Sequence, residues 1–334
     1  MKRRWKTWLG MALSLGLLIL ILTRVGWEEL SQGFAAMDKA WIWPLVGLFA
    51  IGLFLRAWRW QCLLSPARAV SLIDCGNIIL VGNLANNFLP AKGGDVARAV
   101  ILSRKDGVRF LFSLTSVAVE RIFDGLALLL ILQVTGLSVK LAPAYWGIMR
   151  DISVGAGVVF VGAFAGLLTI QAFPGIMGWL RRLAGQLPGK IGTKADHLLT
   201  GLQDSLFFIR LDLGFAGFVG LSVLVWAIEG LGIWVAFQAF AVPGTVMDSY
   251  FIFVITNFGG LLPSAPGNLG IYQASTVLSF SMLDLPMQAA VPLSIMVQSV
   301  QIIFNSILGL FSMRMLRLDF SFFQPSRQCK PPLK

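Results

Sequence analysis

The sequence predicts an all-α polytopic membrane protein, with about six full transmembrane helices plus two re-entrant broken helix pairs arranged as an inverted repeat. Three observations lead there. Apolar residues fill 57% of 334 positions and charged residues only 13%, with a mean hydropathy of +0.78, outside the range of soluble domains. Charges fall in clusters separated by uncharged runs, several of them longer than the roughly 20 residues that cross ~30 Å of hydrocarbon. Two apolar stretches are interrupted by Pro, Gly and Asn at corresponding places in two successive sets of segments.

The first uncharged run, Thr7 to Thr23, reads as a retained helix, since the small residues of a cleavage site do not follow it. A short acidic loop with Glu28, Glu29 and Asp38 leads to a second span, Ala40 to Cys62, with Arg56 and Arg59 placed to snorkel at its end. The next stretch, Cys75 to Pro90, carries Asn77, Asn83, Asn86 and Asn87 and stops at Pro90-Ala91-Lys92-Gly93-Gly94-Asp95, too polar and broken to face lipid. A short helical piece, Val96 to Ser103, precedes a long helix from Phe110 to Leu137. The order then repeats. A run from Ile152 to Leu180 is broken by Pro174, and a polar stretch from Lys190 to Arg210 has the apolar face of an interfacial helix. A span follows from Leu213 to Val242 containing Glu229, then a broken segment from Tyr250 to Leu283, then a last span from Pro286 to Met313. Pro90 precedes Gly94-Asp95 by four residues, as Pro263 precedes Gly267-Asn268. The expected division is a first repeat over 1–142, a second over 143–320 and a basic cytoplasmic tail over 321–334. If each broken pair returns to the side it entered from, each repeat crosses three times and the second is inverted.

Charge orients this path. With both termini cytoplasmic, twenty Lys and Arg fall inside and only Arg24, Lys39, Lys140 and Arg150 outside. The same distribution argues against nucleic acid despite a net charge of +11, because the basic residues sit at segment ends rather than in one patch. Cys62, Cys75 and Cys329 form no metal-type pair and read as reduced thiols. His197, the single histidine, falls in the polar stretch, and Gly189-Lys190-Ile191 lacks the glycine and hydroxyl spacing of a phosphate loop. No catalytic set, metal site or cofactor is expected. Trp5, Trp8, Trp27, Trp41 and Trp43 cluster near span ends as interface anchors.

The candidate site follows from what lipid cannot tolerate. Unpaired backbone groups at membrane depth persist only beside protein or a wet cavity. Gly94 and Gly267 each sit where a half-helix would start, with Asp95 and Asn268 as N-caps, and such starts suit phosphate or carboxylate. The alternative is a pair of structural kinks. Lys92 and Arg98 flank the first break, either to hold an anionic headgroup or, for Arg98, to pair locally with Asp95 three residues before it. Glu120, Arg121 and Asp124 lie inside an apolar helix, where a central charge costs roughly 2.5–3.5 kcal/mol to insert. They read as a carboxylate pair with its counter-charge, or as a network tying this helix to Lys92 or Arg98. Glu229 is either a coupling site or the partner of an unpaired Arg.

Three segments in order, Pro90-Ala91-Lys92-Gly93-Gly94-Asp95-Val96-Ala97-Arg98-Ala99, Val119-Glu120-Arg121-Ile122-Phe123-Asp124 and Leu262-Pro263-Ser264-Ala265-Pro266-Gly267-Asn268-Leu269-Gly270, resemble the lysylphosphatidylglycerol synthase transmembrane-region family, also called flippase-like or UPF0104. The resemblance runs from about residue 10 to 317. It implies a domain in the bacterial cytoplasmic membrane that moves or binds lipids, with an anionic phospholipid or a polyprenyl-linked glycan as partner. It also admits a separate lipid-modifying enzyme as partner. The fused aminoacyl-transferase domain is not expected here, nor is lysyl transfer. Gln273 departs from the family pattern, where an acid often follows the Pro-Gly turn. The function expected is a lipid flippase; the rivals are a non-transporting lipid-binding accessory protein and a membrane-embedded lipid transferase using Asp95 or Glu120 as base.

Overall fold

The computed structural model describes residues 27–319 together with 16, 19 and 23, leaving out 66–67, 89–92, 188, 190, 194, 197–198, 201–212 and 263–264. The first sequence-read helix apart from residues 16, 19 and 23, Pro90 and Lys92 of the first break, Pro263 and Ser264 of the second, His197, most of the interfacial segment and the basic tail therefore lie outside the described residues. What is described is helical, without strands.

Eleven α-helices are numbered here in chain order among the described residues. They are α1 (Trp27–Ala36), α2 (Ile42–Leu64), α3 (Leu72–Phe88), α4 (Gly93–Asp106), α5 (Phe110–Ser138), α6 (Trp146–Ala172), α7 (Pro174–Gly185), α8 (Leu213–Ala239), α9 (Val246–Gly259), α10 (Ile271–Met282) and α11 (Met287–Met315). Glu28 and Glu29 belong to α1 rather than to a loop. Four stretches are long and apolar enough to cross a membrane: Lys39–Leu64, Pro143–Ala172, Gly214–Ala239 and Met287–Met315. The 29-residue α5 has the length as well, roughly 43 Å, but carries Glu120, Arg121 and Asp124 near its middle.

Local chemistry sets several ends. The Thr245 hydroxyl accepts from the Asp248 N–H while the Asp248 carboxylate accepts from the Thr245 N–H, a capping box that starts α9. Pro174 permits no helical continuation from α6 and begins α7 instead.

Each broken segment is a helical hairpin, α3 against α4 and α9 against α10. Close approach needs glycine. A Cβ on Gly94 would fall 2.0 Å from the Gly82 carbonyl, and one on Gly259 would fall 2.1 Å from the Ser275 hydroxyl. Around these hairpins α2 packs along α8, α3 lies on α11, and α9 lies on α5. The contact of α2 with α11 is matched by that of α8 with α5, and the contact of α1 with α11 by that of α6 with α5.

The apolar interior is split in two. One core holds Leu45, Leu128, Leu132, Trp226 and Ile233 together with Phe251, Ile252, Phe253, Val254 and Ile255 of α9. The other holds Trp60, Ile78, Leu84, Leu102, Phe112 and Phe123. Helices α2, α5 and α8 contribute to both, and on α2 and α5 the charged residues occupy the seam. Arg56 and Arg59 lie between Leu55 and Leu63, and Glu120 and Asp124 between Val119 and Leu128, whereas Glu229 of α8 stands within the first core, between Trp226 and Ile233, and reaches Arg56 from there.

Candidate functional site

At that seam a cavity of about 740 Å³ opens between the two hairpins. Its wall includes Asp95, Arg98, Glu120, Arg121, Asp124 and Glu229, together with Gly267 and Asn268 of the second break. Most of the residues that the sequence singled out separately thus converge on one space, though Gly94 and Gln273 do not line it.

The innermost part is a buried chain of ion pairs. Arg59 donates to Asp124 Oδ1 at 2.7 Å and to Glu120 Oε1 at 3.1 Å, and Arg98 donates to Glu120 Oε2 at 2.6 Å. The side chains of Arg59, Glu120 and Asp124 are 1%, 3% and 5% exposed. Asp124 also accepts from the Trp226 indole at 2.9 Å and from Arg121 at 3.0 Å. Aromatic faces cover the cations: Arg98 lies 4.2 Å from the Trp60 ring centre and Arg56 4.7 Å from that of Trp226. Burial of so many charges is tolerated because each is paired and hydrogen-bonded; removing one partner typically costs about 3–5 kcal/mol.

Nearer the open part of the cavity are two forked pairs. Arg121 grips Asp95 at 2.8 and 3.2 Å, and Arg56 grips Glu229 at 2.5 and 2.8 Å. Arg121 is 45% exposed, the most accessible of the four arginines, against 19% for Arg56.

Several sequence expectations are corrected by this geometry. Asp95 does not pair with Arg98, because the packing of α4 on α5 brings it to Arg121 instead. It is not an N-cap either, standing third in α4. Asn268 has a left-handed backbone, φ 57°, within a short 3₁₀ turn, and Gly270 at φ 83° is the residue that precedes α10. The helix starts are not bare. Asn86 accepts from the Gly94 N–H at 2.8 Å, and Gln273 accepts from the Gly270 N–H at 2.8 Å. Gln273 stands behind the cavity wall, donating to Gln298, which in turn donates to the Gly267 carbonyl. Lys92 lies outside the described residues.

Arg56 and Arg59 were read from sequence as snorkelling at the end of α2, and both instead point into the seam. They therefore drop out of the twenty basic residues expected on the cytoplasmic side. A charge balance would have found them: Asp95, Glu120, Asp124 and Glu229 exceed Arg98 and Arg121 by two.

The chain matches the family model described as "Lysylphosphatidylglycerol synthase TM region" over residues 7–309. It is similar to a UPF0104 membrane protein of Methanocaldococcus jannaschii, 25% identical over 72% of this chain and 74% of the relative. A UPF0104 membrane protein of Methanothermobacter thermautotrophicus is 22% identical over 77% of this chain and 80% of the relative. The glycosyltransferase AglD of Haloferax volcanii is 24% identical over 73% of this chain, and the match takes in 43% of that longer protein. No solved structure matches. The chain belongs to the lysylphosphatidylglycerol synthase transmembrane-region family and is a multi-pass integral membrane protein.

Proposed function

We propose that this member of the family is a lipid flippase-like transporter, moving an anionic or glycan-linked lipid headgroup across the cytoplasmic membrane through the cavity between α3–α4 and α9–α10. The carrying observation is that cavity: at about 740 Å³ it is large enough for a headgroup, and it is lined by paired charges in the middle of long apolar helices. Intramembrane ionisable residues are expensive and typically mark a substrate path.

The pathway is built by six crossings, the N-terminal helix with α2, α5, α6, α8 and α11, plus the two hairpins as re-entrant pairs. Helices α4, α9 and α10 have 14, 14 and 12 residues, roughly 18–21 Å each, too short for ~30 Å of hydrocarbon. The two halves, 1–142 and 143–320, are inverted repeats with both termini cytoplasmic. Exchanged contacts support this: α3 lies on α11 as α9 lies on α5. So does one number. Arg56 and Glu229 are 173 residues apart and pair with each other, and 173 is also the offset from Gly94 to Gly267 (267 − 94) and from Asp95 to Asn268 (268 − 95). Residues at equivalent places in two inverted repeats would meet in this way on the pseudo-two-fold axis.

Lys92, Arg98, Arg121 and the acidic residues of α5 are the recognition set, Asn268 and Gly267 complete the wall, and Glu229 is the coupling candidate. Movement is passive or driven by the membrane potential, worth about 2.3 kcal/mol per charge per 100 mV.

Transbilayer movement of labelled lipids in proteoliposomes tests the proposal. Wild type should move at least one lipid, and Arg98→Ala and Glu120→Gln should abolish movement while eluting as folded protein. A second reading, a non-transporting module serving a lipid-modifying enzyme, is favoured by the match inside a longer glycosyltransferase. Co-purification with such an enzyme and no movement of any lipid would establish it. Conversion of a labelled lipid by the purified chain, lost in Asp95→Asn, would instead make it a transferase.

A further inference from the structure

The charge around the cavity is internally satisfied. Among the described residues four guanidinium groups face four carboxylates, and every one has a partner within ion-pair distance. An anionic headgroup therefore competes with a carboxylate for each arginine, and wherever it displaces one it leaves that carboxylate uncompensated. A neutral, hydroxyl-rich headgroup meets no such penalty.

Apart from Thr256 and Tyr272, the rest of the polar wall is side-chain amide, and most of it comes from Asn83, Asn86, Asn87, Asn257, Gln301 and Asn305. An amide carries two donors and an oxygen with two lone pairs, and the internal bonds use only part of that capacity. Asn83 donates to Asn305 at 3.1 Å, Asn87 to Ser306 at 3.3 Å and Asn257 to the Phe253 carbonyl at 2.8 Å. Gln301 is exposed to the cavity and makes no hydrogen bond among the described residues. Adjacent donors and acceptors of this kind match vicinal hydroxyl groups, and a site built to bond a hydroxyl rejects a ligand lacking it.

We infer that the headgroup recognised by this cavity bears a sugar, read by the amide wall alongside the ion-paired residues, which also hold the surrounding helices in register. The inference rests on the cavity being a headgroup site, as proposed above.

The test uses the full chain in a detergent without a sugar headgroup, mixed with monoglucosyl diacylglycerol or with phosphatidic acid of the same acyl chains. Lipid retained per protein is measured by mass spectrometry after size exclusion, with free glucose as competitor, and movement of both lipids is followed in proteoliposomes. The glucolipid should be retained at least tenfold over phosphatidic acid. Gln301→Leu and Asn87→Leu should each lower its retention roughly three- to tenfold, the worth of a hydrogen bond, without changing phosphatidic acid. Gln301→Leu breaks no internal bond, so its fold is expected to survive, as circular dichroism would verify. Equal or better retention of phosphatidic acid, or variants that hold the glucolipid as wild type does, would overturn the inference. Displacement by free glucose would make this a soluble-sugar site and overturn the lipid assignment. Preferential movement of the anionic lipid defeats the sugar reading but leaves transport standing; no retention and no movement of either lipid defeats both.

Discussion

Removing Arg56 alone should destabilise the protein more than removing Arg56 and Glu229 together. The two form a forked pair, 2.5 and 2.8 Å, with side chains 19% and 16% exposed. Charges about 4 Å apart at an effective dielectric near 20 attract by roughly 4 kcal/mol, and loss of one partner from such a pair costs about 3–5 kcal/mol. The singles differ in direction. After Glu229→Met, Arg56 still has Asp124 at 3.9 Å and the Trp226 face at 4.7 Å, whereas after Arg56→Met no other cation stands at Glu229 among the described residues. Arg56→Met should therefore be the costlier variant. The double variant replaces both charges with packed apolar groups, a change that is often neutral or stabilising. A double-mutant cycle by reversible unfolding in mixed micelles should give a coupling of several kcal/mol. A double variant no more stable than the sum of its singles would refute the idea that this pair is a unit on the axis between the halves.

Three further outcomes are expected from the same unfolding measurement. Gly94→Ala should disrupt the first hairpin, since its Cβ would meet the Gly82 carbonyl at 2.0 Å and the Asn86 side chain at 2.6 Å; Gly155→Ala on α6, with nothing within 4 Å, should stay within about 0.5 kcal/mol of wild type. Gln273→Leu should cost about 1–3 kcal/mol for each group left unpaired, the Gly270 N–H and the Gln298 carbonyl oxygen, and Gln273→Glu should recover the part due to Gly270. Thr245→Ala removes half of the α9 capping box and should cost about 1 kcal/mol.

The helices were legible because the constraint on them is local. A segment in hydrocarbon must satisfy its own backbone and present roughly 20 apolar residues, so α2, α5, α8 and α11 emerged within a few residues of their bounds. The breaks were legible from Pro90 and Pro263, and Glu120, Arg121 and Asp124 as charges that must not face lipid. Arg56 and Arg59 were misread because an arginine three to six residues from the end of an apolar run looks the same whether it snorkels or turns inward. The Asn residues of α3 signalled only that this helix could not face lipid, not that several of them line a common cavity with Gln301.

By itself, the sequence determined that the chain is a helical membrane protein, where two of its apolar stretches break, and that charge must be hidden among its helices. Tertiary structure decided which arginine meets which carboxylate, with partners 22, 26, 61, 65 and 173 residues apart. The physical reason is that ion pairing in a poorly solvated seam is settled by which helix faces pack together, and spacing along one helix reports only on neighbours three or four residues away.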